Sequence, residues 1–269
     1  MTLEILISCM HQTDLSIIRD SKVFSDALII NQCDRNEMLE DKSSGHTIRM
    51  ISTTERGLSK SRNLAIQNAT GDICLLCDDD EEFLADYERK ICHAFEMLPD
   101  ADVIAFNIVN QPCRLKKRTQ RLFYLDLLKI KSWQIAFRRT SILARGVCFD
   151  PLMGAGSGNG AQEENKFLTD CLKAGLKIYY VPYEIASVAQ TESTWFHGFT
   201  EQFFYDRGGT TRYFMGTFLS VLYAVYYLTA KYPEYKNDIS FIKASRALIR
   251  GLCDNRITRQ KEAKDVPNT

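Results

Sequence analysis

Short β-rich runs alternate with helix-like stretches through the first half of this chain, and that alternation limits the fold more than any other feature. LEILIS (Leu3 to Ser8), ALIIN (Ala27 to Asn31), TIRMIS (Thr47 to Ser52), ICLLC (Ile73 to Cys77) and DVIAFNIV (Asp102 to Val109) read as strands. Between them, SKSRNLAIQNA (Ser59 to Ala69) has a serine start and Gly71 as a stop, and Tyr87, Ile91, Ala94, Phe95 and Leu98 line one helical stripe. Such alternation implies an α/β fold with a mainly parallel sheet flanked by helices. Ligands of such sheets sit beyond the carboxyl ends of the strands.

At that edge, five consecutive acids, Asp78 to Glu82, follow the fourth strand directly. Neighbouring carboxylates repel, so the stretch must be solvated or hold something positive. A hard dication such as Mn2+ or Mg2+ takes oxygen ligands, keeps several waters and uses one or two carboxylates together with phosphate oxygens. Asp78 and Asp80, two apart, meet that demand if the strand ends between them. An EF-hand is excluded, because no glycine stands where its loop needs one. An acidic helix start would account for Glu81 and Glu82 but not for a third aspartate. Cys74 and Cys77 form C-x-x-C inside a strand run; residues three apart there face opposite ways, so they read as core side chains.

The second half continues with a basic segment, QPCRLKKRTQR, expected as an exposed loop, and a strand QIAFR (Gln134 to Arg138). Four glycines between Gly154 and Gly160 make a loop that feeds a helix from about Gln162 to Ala174, then a short strand KIYYV. That loop lacks the phosphate-cradling G-x-x-x-x-G-K-[ST] pattern. Glu163 and Glu164 open the helix, where adjacent residues point about 100° apart; one can orient while the other reacts. Tyr213 to Ala230 is uncharged, near the lower limit for a bilayer span, but diluted by hydroxyl residues. A buried helix or an in-plane membrane contact are the alternatives, and the tail from Lys231 has a basic surplus suited to an anionic leaflet.

Charge excludes little else. With 34 basic and 34 acidic residues, the totals point to no nucleic-acid coat. Nine irregularly spaced cysteines and a start without a secretory signal point to reduced thiols and a cytoplasmic location, peripheral at the inner membrane face if the uncharged stretch makes contact. The expected division is an α/β domain over 1–190 and a mainly helical region over 191–269, membrane-associating if the uncharged stretch makes contact.

Taken in order, RGLSKSRNLAIQNATGDICLLCDDDEEF, IAFRR, FDPLMGAGSG, EENKF and GLKIYYVP resemble the family 2 glycosyltransferases of the GT-A (Rossmann-like) fold, from about Leu3 to Pro182. The resemblance implies Asp78 and Asp79 near the nucleotide and Asp80, with Asp78, on a Mn2+ or Mg2+ ion. It implies Glu164 as the base, aligned on Phe167, with Glu163 beside it. Ser8, Cys9, Met10, Asn31 and Gln32 fall where base and ribose bind, and Arg62 either meets a phosphate or holds Asp78. His197, beside Trp195 and Phe196, corresponds to a late histidine that some GT-A enzymes use as a metal ligand; a packed histidine is the plainer reading. The implied donor is a nucleotide-diphosphate sugar, with UDP favoured, and the acceptor a saccharide or lipid-linked hydroxyl in bacterial surface polysaccharide or glycolipid synthesis. Two other classes compete. A nucleotidyltransferase would show a glycine-rich basic loop after the first strand, where this chain has SCMHQTD; a non-catalytic membrane-docking protein leaves both acid clusters unexplained.

Overall fold

The computed structural model describes residues 1–43, 45–109, 115–160, 162–188 and 198–265. The chain divides into two compact units, Met1–Phe149 with Glu164–Thr191, and Asp150–Glu163 with Glu192–Thr269.

In chain order the first unit holds β1 (Leu3–Met10), α1 (Ser16–Asp20), β2 (Asp26–Gln32), β3 (Glu37–Asp41), β4 (Ile48–Thr53), α2 (Leu58–Asn68), β5 (Ile73–Asp78) and β6 (Glu81–Phe83). There follow α3 (Tyr87–Met97), β7 (Val103–Ile108), β8 (Gln120–Arg121), α4 (Tyr124–Leu127), a 3-10 turn (Ser132–Gln134), β9 (Ile135–Arg138) and α5 (Arg139–Ala144). Last come α6 (Glu163–Lys173), whose first residue falls in the second unit, and β10 (Ile178–Val188). One sheet runs β3-β4-β2-β1-β5-β9-β7-β10-β6, with β8 also on β10. The run β4-β2-β1-β5 is parallel throughout. Beyond it the sheet is mixed, because β9 enters antiparallel between β5 and β7.

Continuous apolar runs, rather than strict alternation, suit strands covered on both faces. Ile5, Ile7, Ile29, Ile73 and Leu75 face one core layer, with Tyr87, Ile91 and Phe95 of α3. Leu6, Leu28, Ile30, Cys74 and Leu76 face the other, with Ala65 and Ile66 of α2 and Phe167 of α6. Each fully buried Leu, Ile or Phe contributes about 1.5–3 kcal/mol. Cys77 lies in the first layer and Cys74 in the second, so the C-x-x-C sulfurs sit on opposite faces as the strand period requires. The cysteines among the described residues are free thiols.

One alternative is excluded and one local expectation corrected. Glu81 and Glu82 do not begin a helix; they form β6, antiparallel to Ser187 and Val188 of β10. That partner exists because the strand read as KIYYV does not stop at Pro182. The register slips between Tyr180 and Glu184, and pairing then resumes. Proline cannot donate to a ladder, so it sits at the irregularity.

The second unit contains α7 (Glu201–Ala230), α8 (Tyr232–Tyr235), α9 (Phe241–Cys253) and α10 (Arg256–Asp265). Thr200 caps α7, its side chain accepting the Phe203 N–H at 3.1 Å. By length and composition α7 qualifies as a membrane-crossing helix. It folds back at Gly216 instead, whose φ of 76° and ψ of −179° are open to glycine alone. In a straight helix Phe204 and Tyr227 would lie about 34 Å apart at 1.5 Å per residue; here their ring centroids are 6.1 Å apart. The Arg207 guanidinium bridges the two arms, donating to the Tyr223 hydroxyl at 2.8 Å and lying 4.5 Å from the Tyr227 ring. Each arm, 201–215 and 217–230, is about 20 Å long, short of the roughly 30 Å hydrocarbon core. Tyr213 to Ala230 is therefore not one continuous helix. Against α9 the first arm packs backbone to backbone. A Cβ on Gly208 would stand 2.3 Å from the Leu248 carbonyl oxygen, and one on Gly251 2.0 Å from that of Tyr205.

The same unit holds the glycine loop. Asn159 donates to the Leu152 carbonyl at 3.0 Å and to Gln260 Oε1 of α10 at 2.7 Å, while Arg256 reaches the Gly158 carbonyl at 3.3 Å and Asp206 at 3.2 Å.

Candidate active site

Parallel registration brings most of the predicted nucleotide residues to one sheet edge. Ser8 pairs with Asp78 across β1 and β5, and Cys9 and Met10 pair with Asn31 and Gln32 across β1 and β2. Their side chains then diverge. Met10 is exposed. Cys9 is buried, and desolvation, with the charge of Asp79 behind it, pushes its thiol up to about 12. Ser8 is buried and accepts the Ser61 hydroxyl at 2.9 Å. Asn31 spends its amide inside the protein, donating to the Gln12 carbonyl at 2.8 Å and the Ser52 hydroxyl at 3.1 Å while accepting the Gln12 N–H at 2.9 Å. Gln32 Oε1 accepts the Gly57 N–H at 2.7 Å, fixing the entry to α2. Both amides brace the edge, Asn31 through both of its amide atoms and Gln32 through Oε1.

Asp78 closes β5 and is clamped at both oxygens. Arg62 donates to Oδ1 at 2.8 Å and Ser132 to Oδ2 at 3.0 Å. Arg62 is buried and makes the contact to Asp78 that was one of the two alternatives read from the sequence. Asp78 is accordingly an anchor, with one hydrogen bond on each oxygen and a quarter of its side chain still exposed. The acids after it are crowded instead. Desolvation first, then the charge of Asp78, raises the carboxyls of Asp79 and Asp80 above the ordinary range. Glu81 is fully buried; its Oε1 accepts the Asp78 N–H at 2.8 Å, and burial raises its carboxyl well above the usual value. Glu82 pairs with Lys22 at 2.6 Å on the surface.

Two bridges tie the start of α6 to this cluster, and both use residues that the sequence reading passed over. Asn63, next to Arg62, grips the Phe149 backbone from both sides, donating to its carbonyl at 2.8 Å and accepting its N–H at 2.7 Å. The Phe149 ring then stacks on Phe167 at 4.3 Å with 3° between planes, and the Arg62 guanidinium lies 5.3 Å from its centroid. Phe167 is one helical turn beyond Glu164. The second bridge starts at Asn165, which donates to the carbonyls of Leu127 at 2.9 Å and Ile130 at 3.2 Å, holding the segment that delivers Ser132 to Asp78. Asparagines flanking the motifs were the available signal. Glu163 and Glu164 are both buried at the helix start. In the second unit, Gln162, a non-glycine at φ 83°, is held just before them by the Thr210 hydroxyl at 2.7 Å. His197 lies outside the described residues.

A dication is tested by this donor set. Among the described residues no group of three or more His, Cys, Asp or Glu side chains forms a ready cation cage. Asp79 and Asp80, however, are crowded carboxyls that a positive ion would relieve. That fits an ion completed by water and phosphate oxygens rather than by protein alone.

Residues 31–151 match the model of glycosyl transferase family 2. No curated protein matches the chain by sequence. Among solved structures, residues 1–349 of Staphylococcus aureus TarS in complex with UDP-GlcNAc superpose with a TM-score of 0.56 at 15% identity, covering 94% of this chain and 72% of that one. The mannosyltransferase PcManGT of Pyrobaculum calidifontis, in complex with GDP-Man and Mn2+, gives 0.53 at 14% identity, covering 98% and 79%. At such identities the likeness shows the fold, which is GT-A, as the sequence resemblance implied.

Proposed function

We propose that this chain is a family 2 glycosyltransferase and moves a sugar from a nucleotide diphosphate to an acceptor hydroxyl with inversion at the anomeric carbon. The observation that carries the reading is the pair of bridges, through Phe149 and through Asn165, that join the start of α6 to the anchored acid cluster. UDP is the favoured nucleotide, in keeping with the TarS complex, although the mannosyltransferase binds a GDP sugar.

In this scheme Glu164 accepts the proton of the acceptor hydroxyl as that oxygen forms its bond to the anomeric carbon and the bond to the diphosphate breaks. A sugar hydroxyl is a far weaker acid than a carboxylic acid, so the proton moves late, as the attacking oxygen becomes positive. Glu163 orients the helix start. Asp80, with Asp79 beside it, would hold Mn2+ or Mg2+, and the ion when bound would neutralise charge gathering on the leaving diphosphate. Asp78, fixed by Arg62 and Ser132, sets the nucleotide-side boundary. The acceptor is a saccharide or lipid-linked hydroxyl of a bacterial surface polysaccharide or glycolipid, met at the cytoplasmic face of the membrane.

The test is transfer from a panel of UDP-, GDP- and dTDP-sugars with Mn2+, comparing wild type with Asp80→Ala and Glu164→Ala. Loss of the base should cost about 100-fold or more in kcat with nucleotide binding retained. Asp80→Ala should weaken Mn2+-dependent binding of the nucleotide. Unchanged turnover in both variants would overturn the assignment.

A further inference from the structure

The second unit carries an apolar face that its own core does not use. On the 217–230 arm of α7, Ser220, Ala224, Tyr227 and Leu228 are buried. The opposite side presents Phe218 at 75% exposure, with Val221, Leu222, Val225 and Tyr226 about half exposed. These five recur at helical spacing, and the arm contains no charged residue. A helix apolar on all sides belongs in a core or in lipid. Beyond the arm, exposed Tyr232 meets exposed Phe241 with ring centroids 5.9 Å apart, and Ile242 follows at 62% exposure. From Phe241 to Cys253, α9 has no acidic residue, and its exposed side adds Lys243, Arg246 and Arg250.

We infer that this face docks in the plane of an anionic bilayer. The rings and branched side chains of the arm enter the acyl boundary, and the three cations meet headgroup charge. Charge selects the occupant, because a second copy would offer the same cationic helix, whereas anionic lipid neutralises it. The fold-back at Gly216 selects the geometry, because neither arm reaches across the hydrocarbon. The inference deepens the acceptor side of the proposed function and rests on that reading only there: a lipid-linked acceptor would be met on the surface where it resides.

Flotation of the full chain with phosphatidylcholine vesicles, with and without phosphatidylglycerol, tests it. Phe218→Ser, Leu222→Ser and Val225→Ser are combined in one variant, and Lys243→Glu with Arg246→Glu in another; all five side chains are exposed, and circular dichroism verifies folding. Wild type should float with the anionic vesicles, and partitioning of either variant should fall by about tenfold or more. Wild type remaining unbound with both lipids would overturn the inference. So would a dimer in light scattering that the triple variant dissolves, with no flotation. Equal binding to neutral vesicles would refute the role of the cations. Flotation without any sugar transfer would uphold docking and count against the catalytic reading alone.

Discussion

Replacing Glu81 by glutamine probes the electrostatics of the acid cluster without touching its shape. The carboxyl is 1% exposed; Oε1 accepts the Asp78 N–H at 2.8 Å, and Oε2 has no hydrogen-bond partner among the described residues. Burial, and then the charge of Asp78, holds the group well above its ordinary 4.5. The folded chain thus keeps a proton that the unfolded chain releases. Where the native state binds more protons, stability falls as pH rises, so the contribution of neutral Glu81 is complete below about 4.5 and is lost progressively toward the raised folded value. The loss is up to about 1.4 kcal/mol for each pH unit in that window. Glutamine keeps the volume and the acceptor for Asp78 and has no proton to surrender. In EDTA, unfolding free energies from urea titration for wild type and Glu81→Gln should agree within about 1 kcal/mol near pH 5 and separate as the pH rises, the variant becoming the more stable. Glu81→Ala, which removes the acceptor and leaves a void, should lose about 2–4 kcal/mol near pH 5, a deficit that narrows as the wild type loses stability at higher pH. Parallel curves for wild type and Glu81→Gln would refute the claim that burial holds this carboxyl neutral.

Ser132→Ala removes one of the two donors on Asp78; because that carboxylate is 25% exposed and water can replace the hydroxyl, the stability cost should be about 1 kcal/mol, with a severalfold rise in donor KM that Ser132→Thr reverses. Thr210→Val strips the hydroxyl that holds Gln162 at its unusual φ, and should lower kcat about tenfold with donor KM little changed, Thr210→Ser restoring it; equal rates for all three would show the contact to be idle.

The strands of the parallel half and the acid cluster at their edge were legible because fully covered strands write themselves as unbroken apolar runs such as ICLLC. β6 was not, since Glu81 and Glu82 carry no strand signature of their own and pair only because β10 continues past Pro182. The same limit hid the braces. Nothing local in Asn63, Ser132 or Asn165 announces that they bond to residues tens of positions away, nor in Asn31 and Gln32 that their amides bond to Gln12, Ser52 and Gly57. The fold-back of α7 rests on one glycine inside an otherwise continuous helical pattern. Composition sees that stretch as a single element.

Where α7 crosses α9, the two main chains occupy each other's side-chain space, so positions 208 and 251 have no alphabet to drift through. Even a methyl group would wedge the pair open before meeting any other atom. Variation in the helical unit must therefore be absorbed on its outward faces, and whatever those faces evolve to touch, they hang from a hinge pin made of two missing carbons.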